Sequence, residues 1–275
     1  MATPLPLPAT PAARPAEGGA SRPPRRRLPP EVLMSTLSVL SIVALWYLAT
    51  LALPPSVLPP PHTVVKSMAE LAGTDELWSD IRISLTRIAF AFALGMGISL
   101  LLGFAMATSE RAGMFFRVWV VCGITVPAIV TILTIYMVMG MNDRAAVVGA
   151  ALTVVPFLAI NIREGIKSID MRLIHMGRIF RASRRQLIGS VMLPQVAPML
   201  LASARFGLGL VWKMVLFVEL LGRSDGVGYR IEHYFQMFDM TQVLAYALSF
   251  LIVMMFIEVF VFGLIEKHIF RWRHG

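Results

Sequence analysis

Long apolar segments without charge alternate with short polar segments along most of the chain. Two of them, residues 33–53 and 88–108, each hold 21 residues without a charged side chain. In helical form each is about 31 Å long, which is enough to cross the hydrocarbon core of a bilayer. Four further apolar segments lie at 118–141, 145–162, 196–221 and 243–265. The pattern predicts an all-α membrane protein with six transmembrane helices.

Prolines and small residues add detail to these spans. Pro127 lies in the third span and Pro156 in the fourth, and each removes a helical hydrogen bond, so both spans are predicted to be kinked. The second span carries small residues at every fourth position, which allow close helix contact within one subunit or between subunits. The residues of this stripe are Ala91, Gly95, Ser99, Gly103 and Ala107.

Charged residues occur inside the last two spans. The fifth span carries Arg205, Lys213 and Glu219, and the sixth carries Glu258. Because a charge within the bilayer is costly, such side chains normally face protein or water. The three residues of the fifth span are therefore candidates for a translocation path. A structural ion pair, or a side chain that extends to the membrane surface, is the alternative interpretation.

The composition supports a membrane protein independently. The chain is 57% hydrophobic and 15% charged, whereas soluble domains carry about a quarter charged residues. If the N-terminus is cytoplasmic, 17 Lys and Arg residues lie in cytoplasmic segments and six lie outside. This bias predicts that both termini are cytoplasmic. It also accounts for the net charge of +9 without a nucleic-acid partner.

The first 30 residues differ from the rest. They are dominated by Pro, Ala, Gly and Arg and contain few residues that form a core. Residues 1–30 are predicted to be a disordered, uncleaved cytoplasmic tail, and residues 31–275 the transmembrane domain.

The polar segment at 163–194 is the most distinctive part of the sequence. This segment contains seven Lys or Arg residues and only two acidic residues, Glu164 and Asp170. Apolar residues from Ile166 to Met176 recur at helical spacing, and Ser183 with Gln186 is typical of a capping box at the start of a second helix. The segment is either a solvated basic loop or a docking surface for a cytoplasmic partner.

This segment resembles the cytoplasmic EAA loop of ABC-importer permeases. In the alignment that the Leu193-Pro194 ending fixes, the E-A-A positions fall at His175, Met176 and Gly177, and the family glycine falls at Arg181. The spacing of the motif and its Leu-Pro ending are retained, while His175 and Arg181 replace the glutamate and the glycine. The coupling loop that the resemblance implies includes His175, Met176, Gly177, Arg181, Ala182, Ser183, Arg184, Arg185, Leu193 and Pro194.

Other motifs carry the resemblance further along the chain. They include Ser84-Leu85-Thr86-Arg87, Glu219-Leu220-Leu221-Gly222 and Gly226-Val227-Gly228-Tyr229. In this order and spacing they are similar to the sulfonate, taurine, nitrate and bicarbonate branch of these permeases. The resemblance implies a MetI-like fold in the bacterial inner membrane. It also implies a second permease copy, a cytoplasmic ABC ATPase dimer and a periplasmic substrate-binding protein.

The chain itself is predicted to be a transporter subunit and not an enzyme. It contains no G-x-x-x-x-G-K-[ST] phosphate-binding loop, so ATP hydrolysis is expected on a separate chain. Cys122 is the sole cysteine, and the five histidines show no ligand spacing, so no metal or cofactor is predicted. The positive charges in the fifth span favour a small anionic solute.

Two other classes of function were considered. An ion-coupled carrier or channel without an ATPase would need carboxylates at helix breaks in two repeated halves, but only Glu219 and Glu258 lie in spans. A scaffold without transport activity would leave the charges of the fifth span unexplained.

Overall fold

The computed structural model describes residues 30–269, with side chains described for 34–265. Within this range all regular structure is helical and no strand occurs. Contacts divide the chain into two units, residues 1–45 and 46–275. Apart from Pro30, the predicted tail lies outside the described residues.

Eleven α-helices and one π-helical turn make up the described part of the chain. They are α1 Pro30–Ala52, α2 Pro61–Ala72, α3 Asp75–Thr108, α4 Glu110–Thr125, α5 Ala128–Met139, α6 Asp143–Lys167, α7 Met171–Ile179, α8 Arg184–Leu187, the π turn Ile188–Met192, α9 Leu193–Gly222, α10 Val227–Gln236 and α11 Met240–Ile269.

Five helical segments of the described chain are long and apolar enough to cross a membrane, and a sixth crossing is formed if α4 and α5 count as one broken span. α4 and α5 meet at 100°. The third predicted span is therefore not one kinked helix but two short helices. Pro127 cannot donate a backbone hydrogen bond, and Val126 before it is extended at ψ 125°, so the first helix ends there. Pro156, in contrast, lies inside the continuous helix α6.

The small-residue stripe of α3 packs against α6 within the same chain. A Cβ atom on Gly103 would lie 2.8 Å from Cβ of Ile162, so the two helices approach closely at this point. The Ser99 hydroxyl lies 2.6 Å from the carbonyl oxygen of Gly95 and 3.2 Å from that of Val155 on α6. Of the two interpretations of the stripe, the structure supports packing inside one subunit.

The polar segments beside the spans are more ordered than the sequence pattern predicts. α3 begins at Asp75, so its polar first half continues directly into the second predicted span. α6 extends to Lys167, and α7 begins only at Met171, with Asp170 as its N-cap. The single helix predicted from Ile166 to Met176 is therefore two helices, separated at residues 168–170.

Candidate functional site

The turn between α7 and α8 has the backbone geometry of a glycine turn, although Arg181 stands at the position of the family glycine. The backbone N–H of Arg181 donates to the carbonyl of Arg178 at 2.9 Å, and that of Ala182 donates to the carbonyl of Gly177 at 3.0 Å. These two bonds form a Schellman motif, whose central residue is usually glycine. Arg181 occupies this position with φ +54°, in the left-handed region. The backbone thus keeps the shape of a glycine turn with an arginine in it.

The predicted capping box of α8 is confirmed. The backbone N–H of Gln186 donates to Oγ of Ser183 at 3.3 Å, and the backbone N–H of Ser183 donates to Oε1 of Gln186 at 2.8 Å. The helix continues through the π turn, where Leu193 N–H bonds to the Ile188 carbonyl, and then into α9. Residues Arg184–Gly222 form one helical segment of 39 residues. Leu193 and Pro194 consequently lie inside a helical segment and do not end it.

An exposed surface surrounds this turn and is called the α7–α8 surface below. It consists of His175, Met176, Ile179, Phe180, Arg184 and Arg185. Ile179 and Phe180 are 80% and 78% exposed, although the segment follows the end of a membrane-crossing helix. Gly177 faces the other way, since a Cβ atom there would lie 2.5 Å from Leu187. Exposed apolar side chains beside basic ones are typical of a docking site.

Sequence reasoning missed Ile179 and Phe180. Ile179 lies four residues after His175 on the same face of α7, and Phe180, the C-cap of α7, lies four residues after Met176. That spacing is the signal that could have found them.

The charged residues of α9 have different surroundings. Arg205 Nε lies 3.1 Å from Glu258 Oε1 on α11, and both side chains are about half exposed. Lys213 is exposed, and its Nζ lies 5.7 Å from the ring centre of Trp212. No carboxylate of the described residues pairs with Lys213.

Glu219 is fully buried in a network of its own. Its carboxylate accepts hydrogen bonds from Arg87 Nη1 at 2.9 Å, from Ser84 Oγ at 2.8 Å and from the backbone N–H of Gly228 at 2.9 Å. Glu219 therefore presents no surface to a solute in this conformation, and its placement in the translocation path needs correction. The cause is burial against α3 and α10, which the sequence of α9 does not reveal.

Three motifs that the resemblance singled out meet at this carboxylate. Ser84 and Arg87 come from the first motif, Glu219 from the second and Gly228 from the third. The backbone approaches so closely that a Cβ atom on Gly226, which has φ +95°, would lie 2.6 Å from Glu219 Oε1. A glycine is needed here both for the backbone angle and for space.

Arg87 is the centre of a wider ion network. Besides Glu219, its guanidinium contacts Asp143 at 2.6 Å and Asp225 at 2.5 Å. Arg223 lies 3.2 Å from the same Asp143 oxygen. The network joins the polar half of α3 to the first turn of α6, the end of α9 and the α9–α10 turn. It fixes four elements at the same end of the bundle.

A second ion cluster lies next to it on α10. Arg230 contacts Asp80 at 2.8 Å and also pairs with Glu76, and the other Asp80 oxygen accepts a bond from the backbone N–H of Gly226. Burial alone lowers the pKa of Arg230, but the hydrogen bond and the charges of Asp80 and Glu76 outweigh it and raise this pKa. Arg230 therefore stays charged and anchors α10 on α3.

Comparison with known proteins decides the family. Residues 95–274 match the model of the family described as "Binding-protein-dependent transport system inner membrane component". The chain belongs to this family.

Individual members of the family and a solved structure agree with this assignment. The chain is 30% identical over 80% of its length to SsuC of Bacillus subtilis, named for aliphatic sulfonates transport, and covers 79% of that protein. It is 27% identical over 72% of its length to the taurine transport system permease protein TauC of Escherichia coli, with 74% of that protein covered. A chain of the inward-facing MetNI methionine ABC transporter shares the fold, with a TM-score of 0.56 at 18% identity, over 70% of this chain and 94% of that one.

Family membership, the fold and the apolar helices together confirm several predictions. The protein is a multi-pass inner-membrane ABC-importer permease with MetI-like architecture, and it is a transporter subunit rather than an enzyme. The alternative of an ion-coupled carrier or channel that works alone does not agree with this family.

Proposed function

We propose that this permease and a second copy of it form the path by which an ATP-driven importer takes up a small anion such as a sulfonate. A periplasmic binding protein would deliver the solute, and a separate cytoplasmic ATPase dimer would supply energy. The main observation in favour of an anionic substrate is Lys213. It is an exposed cation on a membrane-crossing helix and has no carboxylate partner in the described chain.

The position of Lys213 along α9 supports this role. Lys213 lies nine residues before the helix ends at Gly222, a distance of about 14 Å. A charge at that depth costs about 2.5–3.5 kcal/mol if it faces lipid. The exposed side of α9 therefore faces water or another protein chain, as a path between two copies requires.

The other charges of this region are already compensated. Glu258 neutralises Arg205, and Arg87 neutralises Glu219. Lys213 is the remaining positive charge on α9, and a positive charge beside a narrow aqueous path attracts anions. We retain Arg205 and Lys213 as path residues and assign Glu219 to the ion network.

The named substrates of the relatives agree with an anionic solute. SsuC is named for aliphatic sulfonates and TauC for taurine. Each of these compounds carries a sulfonate group, which is anionic at neutral pH, and taurine carries an ammonium group as well.

Coupling to the ATPase is assigned to the α7–α8 surface. It combines exposed apolar side chains with arginines that pair with no carboxylate among residues 34–265, and the helix that begins there continues into α9 as far as Gly222. Displacement of this surface would therefore move the helix that carries Lys213. The excess of basic residues near this end of the spans supports a cytoplasmic location for both termini and for this surface.

Uptake into vesicles that contain the permease, its ATPase and its binding protein tests the proposal. We expect ATP-dependent uptake of ethanesulfonate and taurine, but not of neutral ethanesulfonamide. Lys213→Ala should reduce uptake about tenfold or more, which corresponds to loss of about 1.4 kcal/mol of attraction, whereas Lys213→Arg keeps part of it. Lys66→Ala, at an exposed lysine outside the spans, is the matched control. Preference for ethanesulfonamide over the two sulfonates, or normal uptake by Lys213→Ala, would refute the anionic path.

A further inference from the structure

An apolar groove lies between α3, α6 and the helical segment that leads into α9. Its volume is about 370 Å³, and all ten residues that line it are apolar. Its lining includes Leu101 and Phe104 of α3, Ile166 of α6, Ile188 of the π turn and Val196 of α9. The groove lies where α3 and α6 end and α9 begins, close to the membrane surface.

Two basic residues lie next to, or one helical turn from, residues that line the groove. Lys167 follows the lining residue Ile166 directly, and Arg184 lies one helical turn, about 6 Å, before the lining residue Ile188. Both side chains are exposed and pair with no carboxylate in the part of the chain that the structure describes.

The acidic side chains nearby are already engaged. Glu164 pairs with Arg163 at 2.5 Å, and the Asp170 carboxylate accepts the backbone N–H of Arg172 at 2.8 Å as the cap of α7. An apolar groove with free positive charges at its polar end matches a molecule with an alkyl chain and an anionic head.

We propose that this groove binds an anionic phospholipid of the surrounding membrane. An acyl chain lies along Leu101, Phe104 and Val196, and the phosphate group lies between Lys167 and Arg184. A groove lined by apolar side chains of membrane-crossing helices favours an acyl chain over a soluble partner, and the basic residues next to it favour an anionic lipid over a zwitterionic one.

A lipid at this position contacts the helices on both sides of the α7–α8 surface. It bridges α3 and α6 to the segment that links this surface with α9. A lipid bound at this site therefore contacts the part of the transporter that moves. The lipid composition of the membrane can affect that movement directly. The inference rests on the geometry of the groove and does not require the proposed substrate.

Quenching of tryptophan fluorescence by brominated lipids tests this proposal on the full-length permease. Phe104→Trp places a reporter in the groove, and Phe90→Trp is the matched control on the same helix, since the two phenylalanines are 60% and 63% exposed. Each variant is reconstituted with dibrominated phosphatidylglycerol or dibrominated phosphatidylcholine at the same mole fraction. The unsubstituted permease supplies the background from its own tryptophans.

We expect phosphatidylglycerol to quench the groove reporter with about 25-fold higher apparent affinity than phosphatidylcholine, since each of the two cations contributes about fivefold, and the two lipids to quench the control equally. Lys167→Gln and Arg184→Gln should each reduce the preference about fivefold. Arg178→Gln removes an exposed arginine of α7 that lines no part of the groove, and it should leave the preference unchanged.

Equal quenching of the groove reporter by both lipids would show ordinary boundary lipid and overturn the proposal. Absence of quenching by either lipid would show that protein, such as a second copy, covers the groove, and would also overturn it.

Discussion

Replacement of Glu219 by glutamine removes the charge at the centre of the ion network while keeping the side-chain shape. The carboxylate accepts bonds from Arg87, Ser84 and the backbone N–H of Gly228. An amide offers a single acceptor oxygen, and its NH₂ group would face one of these donors. Glu219→Gln therefore leaves at least one buried donor without an acceptor.

The size of the effect follows from these contacts. Breaking a buried ion pair by removing one partner costs about 3–5 kcal/mol. Arg87 keeps Asp143 and Asp225, which favours the lower end of this range, while an unpaired buried donor adds about 1–3 kcal/mol. We therefore expect Glu219→Gln to lose about 3–5 kcal/mol, which corresponds to a fall of roughly 6–20 °C in melting temperature.

A smaller change in the same network gives a graded comparison. The Ser84 hydroxyl contacts Glu219 and accepts the backbone N–H of Val227 at 2.9 Å. Ser84→Ala leaves this N–H unpaired but keeps every charge, so its cost should be about 1–3 kcal/mol.

Thermal unfolding of the full-length permease in mild detergent measures both effects, with the folded fraction followed by size-exclusion chromatography. Glu70→Gln serves as the control, because Glu70 forms an exposed pair with Lys66 at 3.8 Å and should contribute about 0–1 kcal/mol. If Glu219→Gln melts no lower than Glu70→Gln, the buried network does not stabilise the fold, and the assignment of Glu219 fails.

Three further predictions concern the loop and the topology. Arg181→Gly should raise the melting temperature or leave it unchanged, because glycine adopts φ +54° without strain; a clear decrease would show that the arginine side chain is needed. Phe180→Asp should abolish recovery of the ATPase with the purified permease while the permease still inserts in the membrane; undiminished recovery would place docking elsewhere. Single cysteines at Arg178 and Ser224 in a Cys122→Ala background should react with an impermeant thiol reagent from opposite sides of the membrane; reaction from the same side would refute the proposed orientation.

Features that depend on residues close together in the sequence could be predicted from the sequence. The apolar segments predicted the membrane-crossing helices, because each must present about 20 apolar residues to lipid. The capping box of Ser183 and Gln186 was predicted correctly, since both partners lie within one turn of the chain. At Pro127 a kink was predicted, because proline removes a local hydrogen bond, and the structure has a complete break between α4 and α5 there.

The amount of bending at Pro127 was not predictable, because the 100° angle depends on how α5 packs on α6 and α9. The sequence also marked Lys213 and Glu219 as equivalent charges within one span, and the tertiary structure separated them. Glu219 meets Arg87, which is 132 positions away in the chain, while Lys213 remains exposed.

The sequence alone thus determined which segments are apolar enough to cross the membrane and where α8 begins, since both follow from local hydrophobicity and capping. Only the tertiary structure decided which charges are neutralised and which remain free, because a buried carboxylate and its arginine are brought together by helix packing and not by sequence spacing. The roles of Arg87, Ile179 and Phe180, and the groove beside Lys167, belong to this second group.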